Sequence, residues 1–223
     1  MENMTKLYFE HDFTEFEDYL LEYPVCQLEY KAGEIISRQG ETLSHGYYIK
    51  SGIMHLKIGS EIGKEKTLAF FGPGAMFPLG VNKHTYPLEY AMTETAFTDV
   101  VVYRFSYEML RKMAENNSAL SLRIIEHYCD FTSYLFYEIA SRAYNLSMVL
   151  VVNVLLVFHS SIEENGIIPF NQEQVAEIAG ISRIQVARAY KELKEMGVIE
   201  TVRNGIKIID EEKLNELGIN DVI

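Results

Sequence analysis

The chain has 223 residues, 48% of them hydrophobic and 23% charged, with 32 acidic against 20 basic side chains and a formal net charge of −12. A chain of this length buries roughly 70% of the surface its unfolded form exposes, so it needs no staples, and its composition excludes overall disorder. The acidity excludes a protein coated all over with nucleic acid. Two cysteines, Cys26 and Cys129, are too few for a disulfide framework or a four-thiolate zinc or iron–sulfur centre, and both read as isolated core thiols.

The opening residues lack the basic stretch and apolar run of a signal peptide, so the expected location is the cytoplasm. The spacing of Leu7, Phe9, Phe13, Phe16, Tyr19, Leu20 and Tyr23 predicts one short amphipathic helix, stopped by Pro24. From about 25 to 105, short apolar runs alternate with glycines and polar turns. Tyr47-Tyr-Ile, Met54-His-Leu-Lys-Ile and Val100-Val-Val-Tyr-Arg-Phe read as strands of a sandwich or roll. Ser106 is placed to cap a helix over 107–114, which Asn116-Asn-Ser interrupts.

A long helix follows over about 119–143. Leu120, Ile124, Phe131, Leu135, Ile139 and Arg142 lie on or near one stripe, and His127, Tyr128 and Tyr134 widen it. So wide a stripe wants more than its own domain, and a second copy of the chain would satisfy it. Asn145 reads as a hinge. The apolar run Leu146–Phe158 has 13 residues, short of the roughly 20 that span a bilayer. It reads as a buried helix, and no membrane partner is expected.

Residues 170–209 hold the densest signals. Asn171 with Gln174, and Ser182 with Gln185, form two capping boxes. Gly180 ends the first helix and Gly197 the second. Two helices joined by so short a turn form a helix-turn-helix, whose second helix enters the major groove of double-stranded DNA by its N-terminal half. The groove-facing candidates are Ser182, Arg183, Ile184, Gln185 and Arg188. The planar fork of arginine bonds O6 and N7 of guanine together, and Gln185 suits adenine or a phosphate. Two β-rich runs then flank Asn204-Gly205, a strong hairpin signal. This wing carries Arg203 and Lys207 for phosphates. From 182 to 207 there are six basic and three acidic residues, a local +3 in a chain of −12.

With these residues in place, the chain resembles the Crp/Fnr superfamily of bacterial transcription regulators over about 25–210. Lys31-Ala-Gly-Glu-Ile-Ile-Ser-Arg-Gln-Gly-Glu, Tyr47-Tyr-Ile-Lys-Ser-Gly-Ile-Met-His-Leu and Phe71-Gly-Pro-Gly-Ala-Met-Phe resemble its glycine-punctuated sensor strands. Ile181-Ser-Arg-Ile-Gln-Val-Ala-Arg is similar to its recognition helix, with Arg183 and Arg188 matching two guanine-reading arginines. The resemblance implies an α+β architecture. A jelly-roll-like β-roll sensor of the cyclic nucleotide-binding type occupies 1–117, a dimerisation helix 118–144 and a winged helix-turn-helix 145–223. It further implies a homodimer on a palindromic operator, contact with RNA polymerase and a role as activator.

Two departures matter. The family glutamate between the arginines is Ile184 here, which cannot accept from cytosine but can touch a thymine methyl. In the sensor, the family's cyclic AMP residues are replaced by Met76-Phe-Pro-Leu-Gly and by Glu89-Tyr90. A carboxylate where the phosphate would sit is repulsive, so the expected effector is not cyclic AMP. The resemblance places an effector between roll and long helix, against Phe77, Leu79, Glu89, Tyr90, Met92, His127, Phe131, Tyr134 and Leu135. Aromatic walls there suit a small flat organic molecule, and a filled core with no effector is the alternative. No cofactor is expected; a haem sensor would use a histidine, for which His84 is the nearest candidate. The competing function is a ligand- or redox-sensing module that does not bind DNA. No nucleophile–base pair or phosphate loop points to an enzyme.

Overall fold

A computed structural model of the chain describes residues 7–38, 40, 41, 43–59, 65–80, 92–161, 166–203 and 205–218. His84, Glu89, Tyr90 and Asn204 lie outside them. The chain divides into two units, one from Leu7 to Phe131 and the other from Thr132 onward.

The first unit is built of strands β1 (Tyr8–Phe9), β2 (Cys26–Tyr30), β3 (Ile35–Ser37), β4 (His45–Ser51), β5 (Met54–Gly59), β6 (Glu65–Phe71), β7 (Met76–Phe77), β8 (Met92–Ala96) and β9 (Val100–Ser106). They form a five-stranded sheet ordered β1-β6-β5-β8-β3 and a four-stranded sheet ordered β2-β9-β4-β7. Val102 of β9 faces Leu28 on one neighbour and Ile49 on the other. Tyr48, Tyr103 and Phe105 pack from the four-stranded sheet against Phe13, Phe16, Leu20, Leu110, Met113, Leu120 and Ile124. These last four lie on helices α2 (Tyr107–Asn116) and α3 (Ser118–Tyr144), so that sheet has a helical cover. Ser106 caps α2 by accepting from the Met109 amide at 3.1 Å.

The single helix expected over 7–23 does not form. Tyr8 and Phe9 pair in parallel with Phe70 and Phe71 of β6. His11 then turns the chain at φ 61°, and only Thr14–Phe16 and α1 (Glu17–Leu21) are helical. The three-and-four spacing of aromatics is real, but sheet pairing wins over it in the first turn. The stripe expected on α3 also divides: Leu120 and Ile124 are buried, whereas Ile139 is exposed. Both cysteines are free and exposed rather than core thiols. Cys26 sits on an edge strand, and Cys129 on the open side of α3.

In the second unit, α4 (Ser147–Ser161) is apolar nearly all round and buries Val151, Val152, Leu155 and Phe158. It packs against α5 (Gln172–Ala179), α6 (Arg183–Glu195) and α7 (Glu211–Gly218). Strands β10 (Ile199–Val202) and β11 (Gly205–Ile208) pair antiparallel beside them.

Two ionisable groups are buried inside the roll. His55 of β5 lies between Phe70 and Phe97, and burial pushes its pKa down to about 3. Glu94 of β8 is 1% exposed. Ser37 Oγ donates to its Oε2 at 2.8 Å, its Oε1 has no partner, and burial raises its pKa to about 8. The folded roll therefore keeps the Glu94 proton that the unfolded chain gives up above 4.5. That stabilisation is complete below 4.5 and is lost as pH rises through about 8. His55 acts oppositely: its contribution is present above 6.5 and lost as pH falls towards 3. The expected outcome is that, relative to Glu94→Gln, the native protein loses roughly 2–3 kcal/mol between pH 6 and pH 9. Urea titrations of both proteins at those two pH values measure it; equal losses would show that Glu94 is already ionised at pH 6.

Candidate nucleic-acid interface

The first helix of the pair begins where Asn171 Oδ1 accepts from the amides of Glu173 and Gln174, each at 2.9 Å. Gln174 Oε1 returns the bond to the Asn171 amide at 2.9 Å. Both expected capping boxes are therefore formed, since Ser182 Oγ accepts from the Gln185 amide at 3.3 Å and Gln185 Oε1 from the Ser182 amide at 2.9 Å. Between them Gly180 turns left-handed at φ 65°, where a side chain is disfavoured.

These caps fix where α6 starts, and the helical period fixes what it shows. Val186, Ala189, Tyr190 and Leu193 are buried. Arg183, Ile184 and Arg188 are exposed, Ile184 at 67%. Arg183 makes a long contact with Glu173, 3.9 Å between exposed groups, worth little in water. Gln185 is half-buried and differs from its neighbours: besides the box, its Nε2 donates to Ser147 Oγ at 2.8 Å.

Arg203 and Lys207 are both exposed on the wing. The wing is tied to the body because Ile168 and Ile206 exchange backbone bonds of 2.8 and 3.0 Å. A Cβ on Gly205 would lie 2.1 Å from the Ile168 carbonyl oxygen, so this crossing requires glycine. A groove of about 460 Å³ runs between the wing and the start of α5, lined by Asn171, Gln172, Thr201 and Arg203 among others. Tyr190 also lines it, its hydroxyl buried and unpartnered, and that burial raises its pKa.

The sensor residues behave differently. Phe77 stacks on Phe71 with centroids 4.3 Å apart and lies 6.1 Å from Phe131. Leu79 is 1% exposed and belongs to the core beneath α3. Met92 is half-buried at the start of β8. His127 is buried among Phe9, Phe13 and Phe131, with Nδ1 3.3 Å from Asp12 Oδ2. Asp12 also receives two bonds from Arg123, 2.8 Å to its carboxylate and 2.7 Å to its carbonyl. Tyr134 and Leu135 fall in the second unit. The reading of the sequence missed Asp12, Arg123 and Ser147, which carry no motif; only the fold brings them to their partners. Among the described residues no group of His, Cys, Asp and Glu is placed to hold a metal ion, and no helix is long and apolar enough to cross a membrane.

Comparison with known proteins adds three findings. Residues 27–117 match the model of the cyclic nucleotide-binding domain, and residues 151–217 that of the Crp-like helix-turn-helix domain. No curated protein sequence matches the chain. Among solved structures, FixK2 from Bradyrhizobium japonicum superposes with a TM-score of 0.75 at 16% identity, over 89% of this chain and 100% of that one. A CooA variant from Carboxydothermus hydrogenoformans gives 0.73 at 17%, over 95% and 100%. A Crp/Fnr-family transcriptional regulator from Eubacterium rectale gives 0.74 at 20%, over 92% and 94%. At these identities the likeness is one of fold.

Gly205→Ala is expected to strain the wing crossing by on the order of 1–3 kcal/mol. Hydrogen exchange reads it as lost protection of the Ile168 and Ile206 amides, with the strands of the first unit unchanged. Retained protection at both amides would show that the crossing tolerates a side chain.

Proposed function

The chain belongs to the Crp/Fnr family of transcription regulators, joining a cyclic nucleotide-binding-like sensor to a Crp-like helix-turn-helix, and from that premise we propose that it reads a palindromic operator as a homodimer. The observation that carries this reading is the exposed face Arg183–Ile184–Arg188 on a helix capped at its start. Each arginine addresses a guanine, and Ile184 lies against a thymine methyl where a glutamate would take cytosine. Arg203, Lys207 and the groove beside them meet the phosphate backbone, and the local +3 orients an acidic molecule on DNA.

Dimerisation is supported by the second face of α3. At steps of three and four, Leu122, Ile125, Cys129, Thr132, Phe136 and Ile139 are all exposed. A helix that leaves this heptad seam open is suited to pairing with its own twin. The recognition helices of the pair would then stand one DNA turn apart, about 34 Å.

Cyclic AMP held in the usual way is not the effector in this reading. Supporting this, the stretch Met76–Gly80 offers no carboxylate for a ribose, and Leu79 is buried in the core. A second reading, a regulator with no effector, is favoured by the mutual packing of Phe77, Phe131, Phe71 and His127. Mass analysis of what the purified protein releases on denaturation separates the two.

The operator is to be selected from a random duplex pool. Arg183→Ala and Arg188→Ala are each expected to weaken specific binding by about 1–3 kcal/mol. Replacing the thymine under Ile184 by uracil deletes one methyl and should weaken the native chain about fourfold, with no effect on Ile184→Ala. An unchanged gel shift in the double arginine variant would favour the sensing module without DNA binding. For the seam, mild oxidation is expected to join two chains through Cys129 in a Cys26→Ser background. A chain that stays monomeric in sedimentation, and yields no cross-link, would end the dimer reading.

A further inference from the structure

Gln185 stands at a place where a side chain can reach bases, yet its amide is used inside the protein. Oε1 accepts from the Ser182 amide at 2.9 Å and from Ser182 Oγ at 2.8 Å, which fills both of its lone pairs. Nε2 donates to Ser147 Oγ at 2.8 Å. A glutamine that reads adenine needs its oxygen and its nitrogen together, so Gln185 could do so only by opening its own capping box.

Ser147 is the first residue of α4, two positions after Asn145. Asn145 Nδ2 donates to Ser141 Oγ on α3 at 2.8 Å, and Asn153 Nδ2 of α4 donates to the Tyr137 hydroxyl of α3 at 3.0 Å. Directional bonds therefore join the end of α3 to α4, and α4 to the first turn of the recognition helix, all within one unit. The apolar seat of α6 on Val186, Ala189 and Leu193 is non-directional by comparison.

We propose that Gln185 is a positioning residue rather than a base reader. Through Ser147 it pins the first turn of α6 to the first turn of α4, so the pose of Arg183, Ile184 and Arg188 follows the α3–α4 junction. The inference rests on the operator reading above. Its leverage is geometric: a helix of 13 residues is about 20 Å long. A pivot of about 10° at its far end then moves the reading end by about 3.4 Å, the rise of one base pair. A pinned helix rejects an operator whose half-sites are one base pair too close or too far, and a released one tolerates it.

The test uses the full chain and the operator that the native protein selects, with its spacer left alone, lengthened or shortened by one base pair. The native chain is expected to discriminate against both altered spacers. Ser147→Ala removes the link and leaves the capping box, and is expected to lose about fivefold of that discrimination, the size of one ordinary hydrogen bond. Its salt dependence on the native spacer should not change, because no phosphate contact is removed. Ser147→Thr, which keeps a hydroxyl, is expected to restore the discrimination. Gln185→Met, which removes the link together with the Gln185 half of the box, should lose at least as much as Ser147→Ala. The positioning role is overturned if Ser147→Ala weakens all three operators equally, or if either it or Gln185→Met keeps native discrimination. Should the native chain select no duplex at all, the operator reading falls first and this role with it.

Discussion

The first turn of a helix has backbone N–H groups with no carbonyl to meet, and at α6 that deficit is met by two side chains, Ser182 and Gln185. The exposed face of α6 depends on this closure. It sets the residue at which the helix begins, and a 3.6-residue period then decides which side chains go inward. Val186, Ala189, Tyr190 and Leu193 go under α6, which leaves Arg183, Ile184 and Arg188 outside. Slipping the sequence by one residue against that packed surface would turn the face by about 100°, burying a charged side chain with no partner. Such an arrangement is unstable, so the cap and the buried face specify each other.

What could be read from the amino acids divides along this line. In the second unit the signals are local: two capping boxes, a left-handed Gly180 and a hairpin, each decided within about four residues. The structure has them where the sequence puts them, because no distant partner competes. The first unit is decided by distant partners. Leu7, Phe9 and Phe13 carry helical spacing, but Tyr8 and Phe9 gain a parallel partner some sixty positions away in β6, which no local pattern announces. Cys129 misleads in the same way. A thiol is often buried, and only the orientation of α3 shows that this one faces outward.

The candidate site was partly legible for the same reason. Arg183, Ile184 and Arg188 follow from period and cap alone. The commitment of Gln185 to Ser147 does not, since it joins residues 38 apart in sequence. Nor does the Asp12–Arg123–His127 cluster, which joins the start of the roll to α3 across more than 100 residues. That cluster corrects the chemical character expected of His127: its Nδ1 already faces a carboxylate, and its ring already has aromatic neighbours. The apolar wall foreseen around Phe77 and Phe131 exists, but its described members pack on one another.

α3 is where these constraints meet. On one side it holds the roll by Leu120, Ile124 and the bonds of Arg123 to Asp12; on the other it leaves Leu122, Ile125 and Cys129 open. Tyr128 stands between the two sides, and its hydroxyl donates to the Leu79 carbonyl at 2.5 Å. Leu79 cannot shift alone, because its side chain is in the core, and Gly80 after it lies against the Tyr107 ring so closely that a Cβ would overlap it. A displacement of the Met76–Gly80 stretch must therefore carry Tyr128 with it or break its bond, and Tyr128 is the residue next to Cys129 on the open face. The sensor strand and the apolar seam are in this way one hydrogen bond and one residue apart.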